Sequence, residues 1–173
     1  MDFVLYIHGK GGNANEAEHY KPLFPDFDVS GLDYKSYLPW ETSKEINDVV
    51  ITLKSKYNKI ILIANSIGAF FAMNAKIEKY IEKAYFISPI LDMEKLILDM
   101  MSASGITETE LKEKGVIKTS FGEDLSWEYL IYVRENPIVW GASTDILYGG
   151  NDNLTSIDTV NAFIQTHNAT LTV

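Results

Sequence analysis

Four short apolar runs punctuate this chain: Phe3–Ile7, Ile60–Ala64, Ala84–Ile87 and Thr144–Tyr148. Each stops abruptly at a loop of small and polar residues. Continuous rather than alternating hydrophobicity suits a strand covered on both faces. Between the runs lie stretches with helical periodicity. In Ser43–Tyr57, Ile46, Val49, Val50 and Leu53 share one face, as an amphipathic helix requires. Ile67–Lys79 and Ser156–Thr166 read the same way, and Asn15–Tyr20 reads as a short helix closed by Pro22 and Pro25. Phe27–Leu32 is a weaker strand, and Ala169–Val173 is a last β-rich run. Strands separated by helices predict an α/β fold: a mainly parallel sheet of about six strands, helices on both faces and right-handed crossovers. Asp92 to Asn136 differs in texture, being richer in charge and methionine and interrupted at Gly105, Gly115 and Gly122. It reads as a helical insertion within one domain spanning residues 1–173, because it is too short for an independent core.

Composition narrows the function classes. The formal net charge is −9 and Arg134 is the only arginine. Nucleic-acid surfaces need clustered Lys and Arg, and anionic membrane surfaces need basic patches, so neither partner is expected. The absence of cysteine removes disulfides, thiolate catalysis and Cys-based zinc sites. No basic start with a long apolar run marks a secretory signal, and no run approaches a membrane span. The cytoplasm is the expected location, and the sequons at Asn153 and Asn168 read as chance.

In parallel α/β sheets, ligand sites lie beyond the carboxyl ends of the strands. Three loops qualify. The first follows Ile60–Ala64, where Ala64-Asn65-Ser66-Ile67-Gly68 is a small-x-Ser-x-small variant of the nucleophile elbow. Small residues two before and two after the serine let strand and helix approach closely. Ile67, at the helix start, offers its backbone N–H to an oxyanion. The competing reading of Ser66 is a helix N-cap. The second loop, His8-Gly9-Lys10-Gly11-Gly12-Asn13, follows the first strand. It lacks both the P-loop and the dinucleotide signatures, which leaves a GKGG nucleotide site as a minor alternative. Its better reading is the second half of an oxyanion hole, with the Lys10 N–H facing Ser66 and with His8, Gly9 and Gly11 shaping the loop. The third loop, Gly149-Gly150-Asn151-Asp152, supplies a carboxylate fit to orient and charge-stabilise a histidine. Asp92 is the backup acid, and a turn-forming role is the competing reading for both aspartates. Neither shows metal-ligand spacing, so no metal is expected. Trp127, Tyr129 and Tyr132 in the insertion line an acyl pocket or pack as core.

Together LYIHGKGGN, LIANSIGA, YFISP and DILYGGNDNLT, in that order, resemble the α/β-hydrolase-fold serine hydrolases, in a small form without that family's first two strands. The resemblance spans Phe3 to about Thr155. It implies hydrolysis of an ester-like acyl bond, as in a carboxylesterase or thioesterase, through an acyl-serine and without a cofactor. It also implies a small-molecule acyl ester or thioester substrate and a lid-like role for the Asp92–Asn136 insertion.

One element of that pattern is missing. The family places its catalytic histidine after the last strand, and here only His8, His19 and His167 exist. His167 falls between a helix and a strand, at the wrong edge of the sheet. His19 has no reason to face the serine, and His8 is committed to its own loop. Removing a triad member leaves only about 10³–10⁴-fold catalysis over water. A C-terminal truncation that removed a His-bearing loop is therefore the expectation, and the codons after 173 test it. The alternative function is a non-catalytic binding module on the same fold.

Overall fold

The structure, a computed structural model, describes residues 1–173. The chain divides into two compact units, one formed by Met1–Leu91 with Ile138–Val173 and the other by Asp92–Pro137.

The first unit holds β1 (Asp2–Ile7), a 3-10 helix (Ala14–Leu23), β2 (Phe27–Leu32), α1 (Pro39–Lys54), β3 (Ile60–Asn65), α2 (Ile67–Asn74), a short 3-10 turn (Glu78–Tyr80) and β4 (Lys83–Ile87). The second unit contributes α3 (Met93–Ala103), α4 (Glu108–Lys114), β5 (Val116–Lys118), β6 (Asp124–Ser126) and α5 (Trp127–Glu135). The first unit then resumes with β7 (Thr144–Leu147), α6 (Ile157–Thr166) and β8 (Ala169–Thr172). Six strands form one parallel sheet in the order β2-β1-β3-β4-β7-β8.

The four apolar runs occupy the centre of this sheet. β1 and β3 are buried along almost their whole length, so their side chains feed cores on both faces. On one face Val4, Tyr6, Ile61 and Ile63 cluster with Ala17 of the 3-10 helix. α2 is apolar all round and buried from Gly68 to Asn74, as a helix wedged inside a core must be. α1 packs beside it, with the Asn74 amide donating to Ser43 Oγ at 2.6 Å.

Four sequence expectations need correction. The helix expected over Asn15–Tyr20 is a 3-10 helix over Ala14–Leu23 that holds Pro22 inside it rather than ending there. α1 starts at Pro39 rather than Ser43, with proline at a first-turn position where its missing N–H costs nothing. α2 stops at Asn74 because Lys76 turns to φ 55°, so the expected run to Lys79 breaks. The 92–136 segment is not wholly helical. Val116–Lys118 and Asp124–Ser126 pair as an antiparallel ribbon, with Gly122 at φ 83° in the connecting turn.

Chain order places the site. From β1 the chain steps one way to β2, then crosses over to β3 and proceeds outward to β8. The order therefore reverses between β1 and β3, and ligand crevices open at such switch points. Ile7 is level with Ala64, and Asn65 with Ile87, so His8, Ser66 and Ser88 leave the same carboxyl edge.

Candidate active site

Ser66 sits at the junction of β3 and α2 with φ 53° and ψ −119°. Side-chain-bearing residues rarely adopt this region, which costs roughly 1–3 kcal/mol. Although Ser66 occupies the N-cap position of α2, its side chain caps nothing. The cap reading thus fails on geometry. The strained turn is held by backbone bonds: Ser66 N–H donates to Ile87 O at 3.0 Å, and Ser66 O accepts from Ala69 at 3.2 Å and from Ile90 at 3.1 Å. Ile67 is the first residue of α2, so its N–H belongs to the free end of the helix.

The 8–13 loop lies directly against this turn. A Cβ on Gly9 would stand 3.3 Å from both Asn65 O and Ser66 Cβ. Gly11 adopts φ 77°, the left-handed region open to glycine, and gives its N–H to Tyr37 Oη at 3.3 Å. The Gly12 N–H closes a turn on Gly9 O at 3.1 Å. Lys10, between them, is exposed.

His8 is 2% exposed. Its ring stacks on Tyr34 with centroids 4.1 Å apart, and Tyr34 donates its hydroxyl to His8 O at 2.7 Å. Nδ1 lies 2.7 Å from Gly9 O, and because a carbonyl only accepts, Nδ1 carries the proton. Nε2 is then a buried acceptor without a hydrogen bond. The nearest carboxylate, Asp33, is 3.9 Å away, beyond hydrogen-bond range. The imidazole is thus built into the loop.

Asp152 lies in the loop after β7, and its Oδ1 accepts from the N–H groups of Leu154 at 2.8 Å and Thr155 at 3.1 Å. Thr155 ties this loop inward, donating Oγ1 to Pro89 O at 2.9 Å. Pro89 precedes Ile90, which bonds Ser66 O, so a short path of contacts joins the acid loop to the elbow. Asp92, the other acid candidate, caps α3 of the second unit by accepting from Lys95 N–H at 2.9 Å.

None of the three histidines is a hydrogen-bond partner of Asp152. His19 lies exposed in the 3-10 helix. His167 stacks on Phe163 with centroids 3.9 Å apart, at the end of α6.

Ser88, missed in the sequence, also shapes this edge. It adopts φ 41°, and its Oγ accepts from Gly149 N–H at 3.2 Å. Its position before Pro89, directly after β4, was the available signal. An apolar cavity of about 380 Å³, lined by residues such as Phe24, Tyr85 and Ile146, contains none of these candidate residues. No group of His, Asp and Glu is arranged to hold a metal ion, and no helix is long and apolar enough to cross a membrane.

Solved structures share this fold. Alpha/beta hydrolase domain-containing protein 10 from mouse superposes with a TM-score of 0.71 at 15% identity, over 98% of this chain and 78% of that one. The chain has the α/β-hydrolase fold. The Bacillus megaterium epoxide hydrolase gives a TM-score of 0.64 at 14% identity, over 99% of this chain and 84% of that one. The proline iminopeptidase-related protein from Thermus thermophilus gives 0.60 at 15%, over 98% and 80%. No protein-family model and no curated protein sequence matches the chain. At such identities the likeness fixes the α/β-hydrolase fold and leaves the reaction to the site.

Proposed function

We propose that the chain is a serine hydrolase for an ester-like acyl bond, of carboxylesterase or thioesterase type, with Ser66 as nucleophile. The observation that carries this reading is the backbone of Ser66, strained at φ 53° and ψ −119° while its side chain caps no helix. A binding surface has no use for such strain, whereas a nucleophile lifted clear of the sheet does.

In this reading Ser66 Oγ attacks the carbonyl carbon as its proton passes to a base. The tetrahedral oxyanion receives the N–H groups of Lys10 and Ile67, which Gly9 and Gly11 allow to approach. Collapse breaks the bond to the alkoxide or thiolate, which leaves with the proton. Water then repeats the sequence on the acyl-serine. Asp152 keeps one carboxylate oxygen for orienting the base, the other being engaged by its own loop. None of His8, His19 and His167 bonds Asp152, so in this reading the proton passes to water or to an added base such as imidazole, and no cofactor enters.

A second reading, a non-catalytic binding module, draws support from Asp152, which has backbone donors but no histidine. A fluorophosphonate probe decides between them. The hydrolase reading expects labelling that is lost in Ser66→Ala and accelerated by added imidazole, which substitutes for a missing base. Absence of labelling under both conditions favours the module.

A further inference from the structure

Tyr6 stands in the middle of an apolar strand and is 2% exposed. A phenylalanine would fill the same space without a polar atom to satisfy. Its hydroxyl is nonetheless satisfied: it donates to Glu16 Oε2 at 2.5 Å. Tyr6 is level with Ile63, so Asn65, two residues further along β3, shares its face of the sheet.

Glu16 and Asn65 both bear on the loop beside Ser66. The two Glu16 carboxylate oxygens lie 2.7 and 3.0 Å from where a Gly12 Cβ would be. The Asn65 Nδ2 lies 3.7 Å from the corresponding point on Gly9. Gly9 and Gly12 are the two ends of the turn that carries Lys10 and Gly11. Asn65 is also peptide-bonded to Ser66. Tyr6 thus stands on the face shared with the residue before the candidate nucleophile and holds the acid beneath the far end of the candidate oxyanion loop.

We propose that Tyr6 is a positioning residue: bonded to Glu16 on the face it shares with Asn65, its hydroxyl fixes the spacing between Ser66 and the 9–12 loop. The kinetic consequence rests on the hydrolase reading above, and the structural one does not. A satisfied buried network restricts its members to one arrangement. Oxyanion donors work only within a few tenths of an ångström of their target distance, and a displacement of about 1 Å costs up to roughly 100-fold in rate.

The test uses the full chain as Tyr6→Phe, Glu16→Gln and Glu16→Ala. Amide hydrogen exchange is read first. Tyr6→Phe and Glu16→Ala are expected to accelerate exchange in residues 9–13 by about tenfold, the loss of one net hydrogen bond. β1 and β3 should keep wild-type protection. Glu16→Gln, which retains an acceptor, should stay near wild type. Fluorophosphonate labelling with imidazole present is read second. The rate at saturating probe should fall about 10- to 100-fold in Tyr6→Phe, with the half-saturating concentration unchanged. Unaltered exchange in 9–13, or acceleration spread equally over β1 and β3, would overturn the proposal. So would an unaltered saturating rate. If the wild-type chain is never labelled, the hydrolase reading falls alone, and the exchange result still decides the role of Tyr6.

Discussion

A Cβ built on Gly68 would stand 2.5 Å from the carbonyl oxygen of His8. A second backbone oxygen, that of Ile7, would be 2.7 Å away. The start of α2 therefore rests directly on the end of β1, and the only side chain that fits is a hydrogen atom.

Gly68→Ala follows from this contact. Neither obstructing atom is the end of a flexible side chain, so β1 and α2 must separate. Overpacking of this kind costs about 1–3 kcal/mol. The midpoint of urea unfolding should fall with an unchanged slope. An unchanged midpoint would mean that the contact relaxes freely.

Much of this was legible in the sequence. β1 and β3 announced themselves because both are buried on both faces and need no alternation, whereas β4 and β7 alternate buried with more exposed positions. Ala64 and Gly68 flagged the elbow by their size. Other features were hidden for physical reasons. The ribbon of Val116–Lys118 with Asp124–Ser126 has three-residue strands, too short for a period to register. Pro39 at the start of α1 was a local signal overlooked. Tyr6 reads as one more apolar residue of its run, since its partner Glu16 is brought to it only by the fold. The stacking of His8 on Tyr34 likewise depends on strand order.

The strain at Ser66 gives a stability prediction of unusual sign. Glycine adopts positive φ freely, so Ser66→Gly relieves roughly 1–3 kcal/mol of strain against an entropic cost of about 0.5–1 kcal/mol. Ser66→Gly should therefore be more stable than wild type, while Ser66→Ala, which keeps a Cβ, should not. Thermal unfolding of the two variants side by side checks this. If alanine stabilises as much as glycine, the gain has another origin, such as loss of the hydroxyl itself.

In the second unit Arg134 of α5 bonds Glu94 of α3 through Nε at 2.6 Å and Glu108 through both terminal nitrogens, at 2.9 and 2.6 Å. The planar fork matches a carboxylate in a way that lysine cannot. Arg134→Lys should therefore behave nearly as badly as Arg134→Ala. Both should speed amide exchange in α4 several-fold and leave β1 and β3 untouched. Salt should shrink the difference from wild type, because these side chains are partly exposed and screened. Wild-type exchange in the lysine variant would refute the role given to the fork.

The last prediction concerns alkaline pH. Burial first, and then the Glu16 carboxylate, hold the Tyr6 phenol well above its ordinary range. A tyrosine in the unfolded chain ionises near pH 10. Above that pH the unfolded state has released its proton and the folded state has not, so the folded state binds more protons. Stability must then fall as pH rises, by at most about 1.4 kcal/mol per pH unit for one group. Tyr6→Phe removes this contribution and should flatten the decline of unfolding free energy above pH 10. Some slope will remain, since burial raises Tyr129 and Tyr20 as well. Urea titrations at a series of alkaline pH values provide the measurement. Parallel declines in wild type and Tyr6→Phe would show that the Tyr6 hydroxyl is not held as a buried, carboxylate-bonded phenol.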